Sequence, residues 1–331
     1  MVSLWSIEIP VILFLQSLGN WLTLPMKVLT FLGTEEFFFV FMPFLFWCVD
    51  TALGARVGMI LIFGSGLNSS LKLLFHGARP YWFDTRVKAF STETSFGFPS
   101  GHAQTAASVW GRLAADIQRQ WVTIVSVILI FLIGLSRIYL GVHFTSDVVG
   151  GWLFGLIVLS LFIWLEKPCV SWWQKQNFPT QIVLSIVSSL VIIAIGWLSS
   201  LAVSNWTLPS AWLANIRVAA PGSTINPITL DDFFTTGGVW LGLLLGITCL
   251  FRVGGMRPDE NYAKRFATYL IGLLGVLVLW EGLGVIFPSG ATLLGYSLRF
   301  IRYGLVGFWI AYLAPVLFIR LKLAQHAIGR A

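Results

Sequence analysis

Charge is what this 331-residue sequence has least of. Asp, Glu, Lys and Arg make up 11% of it, against about 25% in a typical soluble domain. Hydrophobic residues make up 57%, and mean hydropathy is +0.84. A water-soluble core cannot use that much apolar surface. The composition therefore excludes an ordinary soluble domain and predicts an all-α, polytopic transmembrane helical bundle. Cysteine is also scarce. Cys48, Cys169 and Cys249 lie scattered in or beside apolar runs, which excludes a disulfide framework and gives no metal-ligand spacing. No internal repeat and no low-complexity tract is visible. The first residues lack the basic n-region and small-residue cleavage site of a signal peptide, so the first apolar run is expected to stay in the chain. Acidic residues are outnumbered, 14 against 21 Lys and Arg, for a net charge of +7. In an apolar chain this excess fits basic cytoplasmic loops, and no nucleic-acid partner is expected.

What is there is a succession of apolar runs. A span needs about 20 apolar residues, and ten candidates can be placed: within 8–33, then at 35–53, 55–76, 100–118, 121–141, 144–166, 181–203, 235–256, 266–288 and 299–322. The first is weak, because Asn20, Pro25 and Lys27 interrupt it. The stretch "EKPCVSWWQKQNFPTQ" (166–181) divides the chain into two helical groups, read as domains 1–166 and 167–331. Alternating the spans collects Arg56, Arg112, Arg119, Lys167, Lys175, Arg252, Arg257, Lys264, Arg265, Arg320, Lys322 and Arg330 on one side. The loops of the other side carry fewer: Lys72, Arg79, Arg86, Lys88, Arg137 and Arg217. The more basic side is expected to be cytoplasmic, with both termini on it.

The rare polar residues are not scattered. The third span ends in "KLLFHGARPYWFD", the fourth begins at Pro99-Ser100-Gly101-His102, the fifth ends in Ser136-Arg137, and the sixth opens with "HFTSDVVGG". All of these fall on the same, less basic membrane face. Charge at such depth is costly and needs a partner or a job. Lys72, Arg79 and Arg137 converge there without matching carboxylates, and a bound anion would resolve their repulsion. Arginine's planar fork suits phosphate oxygens, and lysine adds a point charge. Ser100, Gly101 and His102 stand at a helix start, whose free N–H groups favour negative charge. Gly101 would let an oxyanion approach the backbone. His143 and Asp147 are four apart, which on a helix puts them on one face. Asp147 can hold one ring nitrogen and leave the other as a nucleophile, with His102 available as general acid.

Together these residues resemble the type 2 phosphatidic acid phosphatase family. Its signature is Lys, six residues, Arg-Pro; then Pro-Ser-Gly-His; then Ser-Arg, five residues, His, three residues, Asp. The chain matches all three parts, as Lys72/Arg79/Pro80, Pro99–His102 and Ser136-Arg137/His143/Asp147. The resemblance covers about residues 35–165 and implies a six-helix phosphatase core, followed here by about four further transmembrane helices. It implies that His143 attacks phosphorus to give a phosphohistidine, that His102 protonates the leaving oxygen and then activates water, and that Lys72, Arg79, Ser100, Gly101 and Arg137 hold the phosphoryl oxygens. It implies no metal and no cofactor.

Each piece alone has a plainer reading. Lys72 could be a snorkelling lysine, Arg79 or Arg137 an interfacial anchor, Pro99-Ser100 an ordinary helix start, and Tyr81 and Trp82 interfacial aromatics. All the pieces, in order and at these spacings, carry the resemblance. The substrate expected is a membrane-held lipid phosphate, such as phosphatidic acid, phosphatidylglycerol phosphate or polyprenyl diphosphate. The alternatives are a sugar phosphate, a phosphotransferase and a phospholipid transporter. Residues 167–331 carry no part of the signature; a lipid access groove, a homodimer contact and a second ligand site are left open for them. Glu281 lies in an apolar run and is expected near the interface or paired with Arg299 or Arg302.

Overall fold

The computed structural model describes residues 2–223, 225–288 and 290–327; Arg330 lies outside them. The chain is helical almost throughout. In order the helices are α1 (Val2–Ser17), α2 (Thr23–Phe31), α3 (Glu35–Phe44), α4 (Thr51–Phe75), α5 (Pro80–Phe83), α6 (Gly101–Ile117), α7 (Gln120–Tyr139) and α8 (Thr145–Gln174). There follow α9 (Phe178–Ala202), α10 (Ser210–Ala219), α11 (Asp231–Arg252), α12 (Tyr262–Leu277), α13 (Leu283–Ile286), α14 (Leu293–Phe308) and α15 (Ala314–Arg320). A two-residue antiparallel clip joins β1 (Arg257–Pro258) to β2 (Ala324–Gln325).

Among the described residues, seven helical stretches are long and apolar enough to cross a membrane, or eight if the bent pair α1–α2 is one span. Three of the ten expected segments stand apart from these seven for identifiable reasons. The 8–33 run breaks at the Gly19–Asn20 corner into two helices bent by 89°. The 35–53 run holds Pro43, passes into a π turn at Leu45–Val49 and stops at Asp50. Asp50 is extended and its carboxylate accepts from Leu53 N at 2.7 Å, so it caps the start of α4 instead of continuing α3. The run at 100–118 forms a helix of only 17 residues.

The residues sort into two compact units. One contains 1–37, 67–160 and 197–229. Every residue of the expected site lies in it, and so does a segment from the chain's second half. The other contains 38–66, 161–196 and 230–331. Its core gathers Phe46, Trp47, Ile310, Ala311 and Phe318, and Trp47 Nε1 donates to the Ile310 carbonyl at 2.8 Å. In this second unit Arg299 pairs with Asp231 at 3.3 Å, while Glu281 is exposed. Glu281, expected near the interface or paired with Arg299 or Arg302, therefore lies at the surface, and Asp231, at the start of α11, supplies the carboxylate for Arg299.

Within the first unit, α6 and α8 approach closely enough for backbone to meet backbone. A methyl group added at Gly151 would stand 2.5 Å from the Ser100 carbonyl oxygen and 2.9 Å from Ala103 Cβ. Glycine there lets the N-terminal turn of α6 lie directly on α8. Gly151→Ala is expected to force the two apart, at a cost of about 1–3 kcal/mol for overpacking. Thermal denaturation in detergent should show the loss as a midpoint several degrees lower.

Candidate active site

The geometry is built outward from Asp147. It lies in the first turn of α8, fully buried. Its Oδ2 accepts from Phe144 N at 2.9 Å and faces His143 Nδ1 at 3.3 Å. His143 is not on the helix, as the four-residue spacing suggested. It sits in the turn at 140–144, before α8 begins. The contact survives because that turn folds back over the helix start, with Val142 N and His143 N both donating to the Arg137 carbonyl at 3.3 Å. Ser100 N donates to the Asp147 carbonyl at 2.9 Å, which ties the α6 start to the same point.

The other ring nitrogen, Nε2, faces Arg79 Nη1 at 3.3 Å. An arginine can only donate, so Nε2 carries its lone pair and the proton rests on Nδ1, toward Asp147. Arg79 is wholly buried, and its remaining donors are spread over the Val142 carbonyl (2.9 Å), the Ser95 carbonyl (2.7 Å), the Phe96 carbonyl (3.0 Å) and Ser95 Oγ (3.1 Å). Lys72 Nζ donates to the same Ser95 Oγ at 2.8 Å. Burial, reinforced by Arg79, Arg137, Lys72 and His102, holds the pKa of His143 well below the ordinary imidazole value of 6.5.

Ser100 is the N-cap of α6, with extended backbone, yet its side chain makes no capping bond. Its Oγ is buried without a partner. A hydroxyl in that condition is normally satisfied by something. Gly101 follows, and a Cβ there would meet Asn68 Oδ1 at 3.0 Å, a tight contact that glycine avoids. His102 lies in the first turn of α6, within electrostatic reach of Arg137, Glu93, Lys72 and Arg79. All eight expected site residues are thus gathered in one unit: on the ends of α4, α6, α7 and α8, at the start of α5 (Arg79) and in the turn before α8 (His143).

The cations do not lack carboxylates entirely, contrary to the sequence reading. Arg137 Nη2 is ion-paired with Glu93 Oε1, and Arg137 Nη1 donates to Thr30 Oγ1 at 2.7 Å. Burial opposes ionisation of Glu93, but Arg137, Arg79, His102 and Lys72 together hold its carboxyl well below the ordinary carboxylate range. Glu93 and Ser95 went unnoticed because they lie in the irregular loop 84–100, where no periodicity marks a face. The usable signal was an acid nine positions before His102, in the loop that leads into Ser100. Tyr81 and Trp82, expected at the interface, are completely buried. Trp82 and Phe83 offer their carbonyls to Asn215 Nδ2 at 3.0 and 3.1 Å, docking α10 on α5.

Comparison with known proteins bears on the same residues. Residues 53–171 match the PAP2 superfamily, and residues 234–326 match the PAP2 superfamily phosphatase transmembrane extension. Glucose-6-phosphatase 3 of Mus musculus is 26% identical over 319 residues, 86% of this chain and 87% of that protein. Phosphatidylglycerophosphatase B of Bacillus subtilis is 34% identical over 128 residues, 35% of this chain and 61% of that protein. Sphingosine-1-phosphate phosphatase 1 of Rattus norvegicus is 26% identical over 319 residues, 87% and 70% respectively. The crystal structure of a transmembrane PAP2 type phosphatidylglycerolphosphate phosphatase from Bacillus subtilis aligns with a TM-score of 0.40 at 26% identity, covering 51% of this chain and 88% of that one. Residues 53–171 and the extension at 234–326 both match one group of enzymes, and the chain belongs to the PAP2 superfamily, as a helical integral membrane phosphatase.

Proposed function

We propose that the enzyme hydrolyses lipid phosphates through a phosphohistidine, with His143 as nucleophile. The lone pair of His143 Nε2 attacks phosphorus, the P–O bond to the lipid breaks, and His102 gives the leaving oxygen its proton. His102 then takes a proton from water. The hydroxide attacks phosphorus, the P–N bond breaks, and orthophosphate leaves with His143 restored. Asp147 holds the Nδ1 proton and stabilises the cation that forms on the ring. Arg79, Arg137, Lys72 and the 100–101 turn supply fixed positive charge and donors to the equatorial oxygens of the transition state.

The observation that carries the lipid reading is α2. It bonds to Arg137 through Thr30, while Trp21, Leu24, Val28 and Phe31 on the same stretch are exposed. The turn that follows packs on His102, since a methyl at Gly33 would stand 3.2 Å from His102 Cδ2. One helix with an exposed apolar face therefore borders both the phosphate grip and the group that protonates the leaving oxygen. An acyl or prenyl chain lying along α2 would place its phosphate between them. A sugar-phosphate reading draws on the similarity to glucose-6-phosphatase 3, which spans most of the chain. Phosphate release from purified enzyme on phosphatidic acid, phosphatidylglycerol phosphate, a prenyl diphosphate and glucose 6-phosphate decides between them. Turnover confined to the sugar phosphate would overturn the lipid assignment. We further place the site on the extracytoplasmic side, on the distribution of basic residues, with both termini cytoplasmic. Labelling of a single cysteine introduced at exposed Arg86 by an impermeant thiol reagent in sealed cells tests this.

The depressed pKa of His143 has a kinetic sign. Its neutral form is the nucleophile, and that form persists as pH falls below 6.5. The acid limb of kcat/KM, corrected for ionisation of the substrate, is expected below the ordinary imidazole value. An acid limb at or above about pH 6.5 would show that His143 is not held neutral by its surroundings.

A further inference from the structure

The loop before α6 carries a carboxylate into the cation cluster. Glu93 is ion-paired with Arg137, a residue whose side chain is only 2% exposed, while the Glu93 side chain is 29% exposed. The backbone at Glu93 is clamped twice by one hydroxyl. Tyr81 Oη donates to the Glu93 carbonyl at 3.1 Å and accepts from Glu93 N at 3.2 Å. Tyr81 is itself fully buried in α5, directly after Arg79-Pro80. The anchor is therefore rigid, and the partly exposed carboxylate can rotate outward without moving the loop.

A carboxylate and a phosphoryl group present similar oxygens to a guanidinium. They differ in number and in reach. Glu93 leaves Arg137 Nε and Ser100 Oγ buried with no partner, whereas a tetrahedral anion has oxygens to spare for both. The two anions cannot share Arg137 at low cost, because like charges at that range repel. Resting on the reading above that Arg137 holds a phosphoryl oxygen, we propose that Glu93 is a built-in competitor for the phosphate site, taking Arg137 whenever phosphate leaves and swinging out when phosphate binds. It keeps a buried arginine compensated between turnovers, and it weakens the hold on the product orthophosphate.

The proposal has a signature that a merely structural ion pair does not share. Removing the charge should destabilise the ligand-free protein, because Arg137 loses its partner, and should at the same time tighten phosphate binding. The test uses the full chain in detergent, with orthophosphate and orthovanadate as competitive inhibitors and as ligands in thermal denaturation. In Glu93→Gln the inhibition constant for orthophosphate is expected to fall by about tenfold or more, and KM to fall with it. The ligand-free midpoint should drop, and saturating orthophosphate should raise it by more than it raises wild type. Glu93→Asp keeps the charge on a shorter arm and should stay close to wild type in phosphate affinity. Unchanged or weaker orthophosphate binding in Glu93→Gln overturns the proposal. If lipid phosphates are cleaved but that affinity does not rise, the competitor role alone falls. If no lipid phosphate is cleaved yet the affinity rises, the substrate assignment falls and the competitor role stands.

Discussion

His143→Ala is expected to lower phosphate release by about 10⁴-fold or more, the scale of losing a nucleophile from a unit of interlocked catalytic groups. Folding should survive it. Arg79 Nη1 keeps the Val142 carbonyl, and Asp147 keeps Phe144 N, so neither neighbour is stranded. Two comparisons make the result specific. His102→Ala should cost less, about 10²–10⁴-fold, and its defect should shrink on an activated ester whose leaving oxygen needs no proton. The His143→Ala defect should not shrink, because the bond it makes is to phosphorus. Rapid quenching of wild type with labelled substrate should trap phosphate on the chain in an acid-labile, alkali-stable form, and His143→Ala should trap none. A variant that still turns over at the wild-type rate would remove His143 from the reaction.

The sequence made the site legible for a physical reason. A bilayer makes polar residues expensive, so the few that remain are informative. Lys72, Arg79, Arg137, His102, His143 and Asp147 stood out against an apolar background at helix ends, and the fold gathers them. What could not be read was what the irregular loop does. Ser95 and Phe96 serve Arg79 mostly through backbone carbonyls, which any residue possesses, so no side-chain pattern announces them. Glu93 reaches Arg137 across 44 positions of chain, and nothing in its immediate neighbours predicts the pairing. The corners within the apolar runs were hidden for a related reason. Apolar content finds greasy stretches but not their corners, and the breaks at Gly19–Asn20 and at Asp50 are made by one or two residues each. The helix assumed for His143 failed similarly, since i, i+4 spacing is met by a helix and also by a turn that folds over a helix start.

Arg79 is where stability and chemistry are least separable, and two substitutions pull them apart. Arg79→Met removes every donor from a wholly buried position. The carbonyls of Ser95, Val142 and Phe96 lose the arginine together, at about 1–3 kcal/mol for each buried acceptor left unpaired. That loss should appear as a markedly shorter half-life at elevated temperature and as disorder of the loop that leads to Ser100. Arg79→Lys keeps the charge but not the planar fork. A lysine has three donors on one atom, and it cannot face Val142 and His143 on one side while serving Ser95 and Phe96 on the other. The lysine variant is therefore expected to recover part of the thermal stability. Its phosphate release should stay about 10²–10³-fold below wild type, the usual cost of removing a preorganised oxyanion donor. Its orthophosphate affinity should weaken as well, because the Nη1 donor that faces His143 Nε2 is no longer held in place by the planar fork. Near-wild-type turnover in Arg79→Lys would mean that charge alone suffices there. The contact between Nη1 and His143 Nε2 would then be incidental to the reaction, and the guanidinium would serve only to hold the loop.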